Sequence, residues 1–133
     1  GTGVCVHGTS FEALASILSI ELGVSGLTPG GLAGSRRHVH CAQFPFSDGR
    51  LRTGTRTDST QVEVFSHLPR LLEHGAAGYM SEAGALLFPQ KIKMEYITRA
   101  CVAATGTQLY LMPFRADVGE LGPRCPACQQ NGS

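Results

Sequence analysis

Short apolar runs, each abutting a compact polar motif, dominate this chain. Val4-Cys5-Val6 runs into His7-Gly8-Thr9, and Arg36-Arg37 opens into His38-Val39-His40-Cys41-Ala42. Gly54-Thr55-Arg56-Thr57-Asp58 precedes Val62-Glu63-Val64-Phe65, and Ser81-Glu82-Ala83-Gly84-Ala85 separates Gly78-Tyr79-Met80 from Leu86-Leu87-Phe88. Runs this short, several of them alternating in polarity, read as strands. A sheet built from them carries its polar motifs at strand ends. There, histidines, an arginine and a glycine turn can surround one small anionic ligand.

Two helical stretches fall between the strands. Phe11, Leu14, Ile17, Leu18 and Leu22 recur at helical spacing after Thr9 or Ser10, so residues 10–22 are predicted to be an amphipathic helix closed by Gly23. Residues 67–74 read as a shorter helix closed by Gly75. The runs flanking Glu82-Ala83-Gly84 read as two strands joined by a tight turn, and Lys91 to Ile97 as a further strand or edge segment. Cys101 to Ala104 and Gln108 to Met112 are strand candidates in a stretch of looser pattern. Strands outnumber helices without a regular βαβ rhythm, which predicts an α+β domain with helices outside and Val64, Phe65, Leu86 and Leu87 largely buried.

Size and charge narrow the partners. The 133 residues suit one domain, and seventeen glycines with seven prolines imply many turns. The formal charge of +1 hides a basic stretch, since residues 36–58 hold Arg36, Arg37, Arg50, Arg52 and Arg56 against Asp48 and Asp58. That stretch suits a phosphate-bearing partner; a solvated arginine loop is the other reading. No apolar run approaches the about eighteen residues of a membrane span, and Gly1 to Cys5 show no basic region followed by an apolar one, so no signal peptide is visible. A start at Gly1-Thr2-Gly3 resembles a trimmed one. The five cysteines, Cys5, Cys41, Cys101, Cys125 and Cys128, are scattered, which reads as intracellular thiols in the cytoplasm or nucleus more than as a disulfide framework. Cys125-Pro126-Ala127-Cys128 leaves three options open: half a zinc site, a disulfide or free thiols. No metal is assigned.

Taken in order, the four motifs resemble those of the catalytic ADP-ribosyltransferase lobe of the RNA 2′-phosphotransferase family. That lobe carries His-Gly-Thr after a first strand, Arg-x-His-(Val/Ile)-His on a second, Gly-x-Arg-x-Asp before a third and Ser-x-Asn-Gly-Val in a later turn. The counterparts here are His7 to Thr9, Arg36 to His40, Gly54 to Asp58 and Ser81 to Ala85. Leu71-Leu72-Glu73-His74-Gly75 followed by Tyr79-Met80-Ser81 is also similar to a run of that lobe. The likeness covers residues 4–97; 98–116 read as terminal strands or an extension, and 117–133 as a mobile tail. Ala83 and Ala85 stand where the family has Asn and Val, and these residues contain no counterpart of its N-terminal winged-helix lobe.

The resemblance implies an ADP-ribosyltransferase-like fold of two small bent sheets, NAD as co-substrate and an RNA bearing a 2′-phosphate as partner. In the family reaction that phosphate attacks C1″ of the NAD ribose, nicotinamide leaves, and transesterification then frees the 2′-hydroxyl RNA and ADP-ribose 1″,2″-cyclic phosphate. By resemblance, His7 and Thr9 hold the ribose and adenosine side of NAD, and Gly8 lets backbone approach it. Arg36 takes a pyrophosphate oxygen, and Ser81 and Gly84 shape the ribose site. His38 and His40 share a sheet face, with His38 assigned to the ligand and to catalysis. Arg56 takes the RNA phosphate as a catalytic contact, with Arg50 and Arg52 beside it. Glu82 is expected to be an exposed turn residue. A monomer is expected, with no membrane partner. Two other functions stay open: an ADP-ribosyltransferase acting on another nucleic-acid phosphate or a protein, and a non-catalytic module that binds NAD or ADP-ribose.

Overall fold

The computed structural model describes residues 4–19, 25–29, 38–43, 60–82 and 84–112. Within them the chain is α+β, with two small antiparallel sheets and two short helices. The larger sheet runs β1-β3-β6-β7, from Val4–Thr9 (β1), Val62–His67 (β3), Ile97–Val102 (β6) and Gln108–Leu111 (β7). The smaller runs β2-β5-β4, from Val39–Cys41 (β2), Leu86–Phe88 (β5) and Tyr79–Met80 (β4). Every pairing among the described strands is antiparallel.

β3 and β6 are the inner strands and are buried on both faces, except for the last residue of each. That explains why Thr98 to Val102 gave a loose sequence pattern: a strand with no solvent face shows no alternation. One hydrogen-bonded pair joins the sheets. Val6 N–H donates to Ala42 O at 2.8 Å, and Ala42 N–H donates to Val6 O at 2.7 Å. The strand order therefore reads β4-β5-β2, then across this bridge β1-β3-β6-β7.

Helix Phe11–Ile17 (α1) begins where Ser10, extended at φ −99° and ψ 164°, accepts from Ala13 N–H through its Oγ at 3.1 Å. It buries Leu14 and Ile17 in the main core. It is shorter than the 10–22 expected: Leu18 is its C-cap, and the Ile17 carbonyl accepts from Gly26 N–H at 2.9 Å instead of continuing the helix. Residues 20–24 lie outside the described part. Helix Leu68–Glu73 (α2) matches its expected range, with His67 Nδ1 accepting from Arg70 N–H at 3.2 Å as the cap. Arg70 is buried, donates to Glu95 O at 2.6 Å and lies 5.1 Å over the Tyr96 ring, so α2 is clamped to the segment before β6.

Two expectations are corrected. Lys91 to Ile97 is not a strand: Ile92 only bridges Leu27, and Met94–Tyr96 form a 3-10 turn. Ile92 and Ile97 both fill the main core, but Ile92 pairs with Leu27 alone and Ile97 already opens β6. Leu86 and Leu87 are half-buried, whereas Val64 and Phe65 are buried as expected. Leu87 lies with His40 and Tyr79 on the sheet face left partly open to solvent, and Leu86, on the opposite face with Cys41 and Met80, packs only partly against the main core.

The main core includes Cys5, Leu27, Val39, Cys41, Val62, Val64, Phe88 and Ile97. Cys5 and Cys41 are free, buried thiols that touch across the seam between the sheets. The hydrogen bond that the Cys41 thiol donates to the Cys5 sulfur, then burial, pushes that thiol well above the ordinary range. Cys101 is disulfide-bonded, so the reading of scattered free thiols fails at that position; its sulfur is buried beside Val6 and Phe65. Cys125 and Cys128 lie outside the described residues. Among the described residues, no helix is long and apolar enough to cross a membrane.

Two outcomes are expected of Cys5 and Cys41. Neither should react with a thiol reagent at about pH 8 in the native protein, and both should react once denaturant unfolds it. The folded chain holds a Cys41 proton that the unfolded chain releases near about pH 8.5, so stability should fall as pH rises above that value. Urea titrations between pH 7 and 10 measure the slope, which Cys41→Ser should reduce.

Candidate functional site

Past the Val6–Ala42 bridge the two sheets part. β1 stays paired with β3 as far as Thr9↔Val62, while β2 pairs with β5 as Val39↔Phe88, His40↔Leu87 and Cys41↔Leu86. Backbone groups on a strand point alternately to its two neighbours. Val6 points its groups at β2, so Gly8 does as well. No bridge forms between Gly8 and His40, and no backbone pair among the described residues uses the Gly8 N–H or C=O. The His40 carbonyl instead accepts from His7 Nδ1 at 2.8 Å. A carbonyl can only accept, so this bond puts a ring proton on Nδ1. The result is a cleft between β1 and β2, with the His7 ring across its apex.

Thr9 is fixed at the mouth of this cleft. Its carbonyl accepts from Gln61 N–H at 3.0 Å, and the Gln61 side chain accepts from Phe11 N–H at 3.0 Å. Gln61 thus locks the turn from β1 into α1.

The second wall is β2 with the turn between β4 and β5. His38 and His40 are half-buried and lie on one face, opposite the buried Val39 and Cys41, as alternation predicts. The His38 ring meets Tyr79 edge-on at 6.2 Å between centroids, and Tyr79 is 56% exposed. Ser81 and Gly84 close the turn. Ser81 N–H donates to Ala85 O at 2.8 Å, and Gly84 N–H donates to Ser81 O at 3.0 Å. Ser81 Oγ accepts from Ala85 N–H at 3.0 Å, which leaves its hydroxyl proton to donate elsewhere. Gly84 sits at φ +87°, a conformation that favours glycine. The Gln43 side chain donates to Gly84 O at 3.2 Å and ties this turn to the end of β2.

The sequence-selected residues therefore fall into two groups. His7, Gly8 and Thr9 line the β1 wall, and His38, Ser81 and Gly84 lie along the other sheet. Extending the β2–β5 and β4–β5 registers by one residue puts Ala42, Ala85 and Ser81 in line with Val6. Ser81 is then three strand spacings from β1, about 14 Å, a span that suits an extended ligand better than a single ring. Arg36, Arg50, Arg52, Arg56 and the Gly54 to Asp58 motif lie outside the described residues. Glu82 is exposed, as expected. Among the described residues, no group of three or more His, Cys, Asp or Glu side chains could hold a metal ion.

Sequence reasoning missed Gln43, Gln61 and Tyr79. Glutamines that anchor turns carry no spacing signal, and Tyr79 reads as an ordinary strand aromatic. No protein-family model and no curated protein matches this chain.

Gly84 offers a direct check on the turn. Gly84→Ala should cost about 1–2 kcal/mol in urea unfolding, because the left-handed conformation strains a Cβ. Gly84→Asn should cost less, since asparagine enters that region more readily. Equal stability of Gly84→Ala and the parent would contradict this geometry.

Proposed function

We propose that the domain binds NAD in the β1–β2 cleft and passes its ADP-ribose to the 2′-phosphate of an RNA, releasing nicotinamide. The observation that carries this reading is the parting of β1 from β2 at His7-Gly8-Thr9. An open strand edge presents one donor and one acceptor from a single residue, here Gly8. A planar carboxamide replaces a missing strand residue by pairing with both, and nicotinamide carries such a group. By resemblance, His7 addresses the ribose, and the Ser81 hydroxyl supplies a donor from the other wall.

The order of the four motifs supplies the phosphate contacts. By resemblance, Arg36 takes a pyrophosphate oxygen, and Arg56, with Arg50 and Arg52, takes the incoming RNA phosphate. His38 flanks the ligand from β2. A 2′-phosphate oxygen attacks C1″, the C1″–N bond breaks, and the bonding pair leaves with nicotinamide. The ribose is cationic as it passes between the two. The chain's contribution is to grip both ends of the dinucleotide and align the phosphate. Ala83 and Ala85 in the turn, where the family has Asn and Val, favour keeping a second acceptor in view: another terminal phosphate or a protein side chain.

Binding and transfer are tested separately. NAD at 100 times its Kd should stabilise the protein by about 2.7 kcal/mol, read as a rise in Tm. An unchanged Tm at millimolar NAD, with the protein shown folded, refutes the reading. NAD labelled in its adenylate part, incubated with a 2′-phosphorylated RNA, should release nicotinamide and pass the label to RNA and then to a cyclic phosphate. Label ending on protein selects the second acceptor class, and NAD binding without turnover selects a binding module. Arg56→Ala should leave NAD affinity within a few-fold and slow transfer about 10²-fold or more. Equal turnover by the two proteins removes Arg56 from the mechanism.

A further inference from the structure

Among the described residues Tyr79 is the most exposed aromatic side chain, yet it stands on a firm support. Its strand, β4, is an outer strand of the smaller sheet and runs into the turn that Ser81 closes on Ala85. The Gln43 side chain braces that turn from the end of β2, reaching Gly84 O at 3.2 Å and Met80 Sδ at 3.2 Å. A ring held on a bonded strand has little freedom left to lose when a partner arrives.

The registers show what lies beside the ring. Tyr79 is opposite Leu87, and Leu87 is opposite His40, so the three share a face, which His38 joins by alternation. The Val6–Ala42 bridge carries that face onto the larger sheet, where Val6 and Phe65 are buried. On the smaller sheet it stays open at Tyr79. The His38 and Tyr79 rings cross at 82°. Perpendicular rings do not cover one another, so Tyr79 keeps a flat side on which a planar group can stack, with His38 as its border. In sequence, Arg36 and Arg37 lead directly into His38, and Arg50, Arg52 and Arg56 follow β2. A flat aromatic surface on a strand bracketed by cations is the combination that holds single-stranded nucleic acid without reading its sequence.

We propose that Tyr79, bordered by His38, is a stacking platform for a nucleobase of the acceptor RNA. The inference deepens the reading that a 2′-phosphorylated RNA is the acceptor, and rests on it. Position favours the RNA over the rings of NAD. Gly8, where nicotinamide pairs on that reading, is three strand spacings from Tyr79, about 14 Å. Tyr79 lies on an open sheet face, away from the parted strand edges that grip the dinucleotide. A single strand that puts its 2′-phosphate into the cleft leads outward across β2 and lays a base on Tyr79.

The experiment measures, by fluorescence anisotropy, the binding of a short single-stranded RNA with one internal 2′-phosphate. Beside it runs the same RNA made abasic at the phosphorylated nucleotide and its two neighbours. The parent protein should bind the intact RNA about tenfold tighter than the abasic one. Tyr79→Ala should remove that preference, weakening the intact RNA about tenfold and the abasic RNA less than about twofold. Tyr79→Trp, which keeps a ring, should retain it. NAD affinity, measured by calorimetry, should change less than about twofold in either variant. Tyr79→Val, a good strand former without a ring, repeats the measurement should Tyr79→Ala fail to fold. A preference kept by a folded variant without the ring overturns the inference, and so does a parent that binds both RNAs equally. Loss of NAD affinity together with RNA affinity gives the ring to NAD or to support of the turn, and also overturns it. A ring-dependent base preference in a protein that binds no NAD upholds the platform and overturns the NAD reading. NAD-dependent transfer to an RNA bound without base preference does the reverse.

Discussion

Val6 and Ala42 exchange two hydrogen bonds, and the arrangement of the site depends on that one pair. On one side of it, Cys5 and Cys41 seal the seam with touching buried sulfurs. On the other side the strands are drawn apart, because each has a stronger commitment elsewhere. β1 pairs with β3 over six residues, while β2 holds only the short β5. Had the ladder run on, the His40 carbonyl would take the Gly8 N–H. The His7 ring occupies it instead. A side chain replaces a backbone donor, and the displaced backbone donor remains at the cleft.

The parts of this fold that were legible in sequence are those whose order is local. β1, β2, β3, α2 and the hairpin through Ser81 to Ala85 follow from alternation, caps and a glycine turn. The face shared by His38 and His40 follows from strand parity alone. What was not legible depends on distant partners. The end of α1 is set by Gly26 taking the Ile17 carbonyl, and the stretch before β6 is set by Leu27 pairing with Ile92. Helical spacing that continued to Leu22 carried no sign of the first. The candidate site divides in the same way. His7, Gly8, Ser81 and Gly84 were visible as motifs, whereas Gln43 and Gln61, which hold those motifs in place, matter only once register brings them across the fold.

The turn between β4 and β5 is held by groups other than the side chains of its two alanines. Ala83 and Ala85 bring no polar side chain. Ser81 closes the turn with backbone and hydroxyl bonds to Ala85, and Gln43 fixes Gly84 from outside. The turn keeps its shape with the Ser81 hydroxyl proton still available. The two alanines therefore bear on what the turn can offer a ligand, and much less on whether it forms.

The described walls of the cleft carry imidazoles, hydroxyls and peptide groups, none of which matches the charge of a dinucleotide pyrophosphate. Uncharged donors and acceptors orient a ligand better than they attract it. On the proposed reading, attraction would come from the arginines of residues 36–58, and their contribution would be screened by salt. Orientation, from Gly8, His7 and Ser81, depends on geometry and is nearly indifferent to salt. Under the proposed function, division of labour of this kind would separate the two effects: ionic strength would act on how fast a polyanion arrives, whereas the β1–β2 opening would decide which group of it is held, and in what pose.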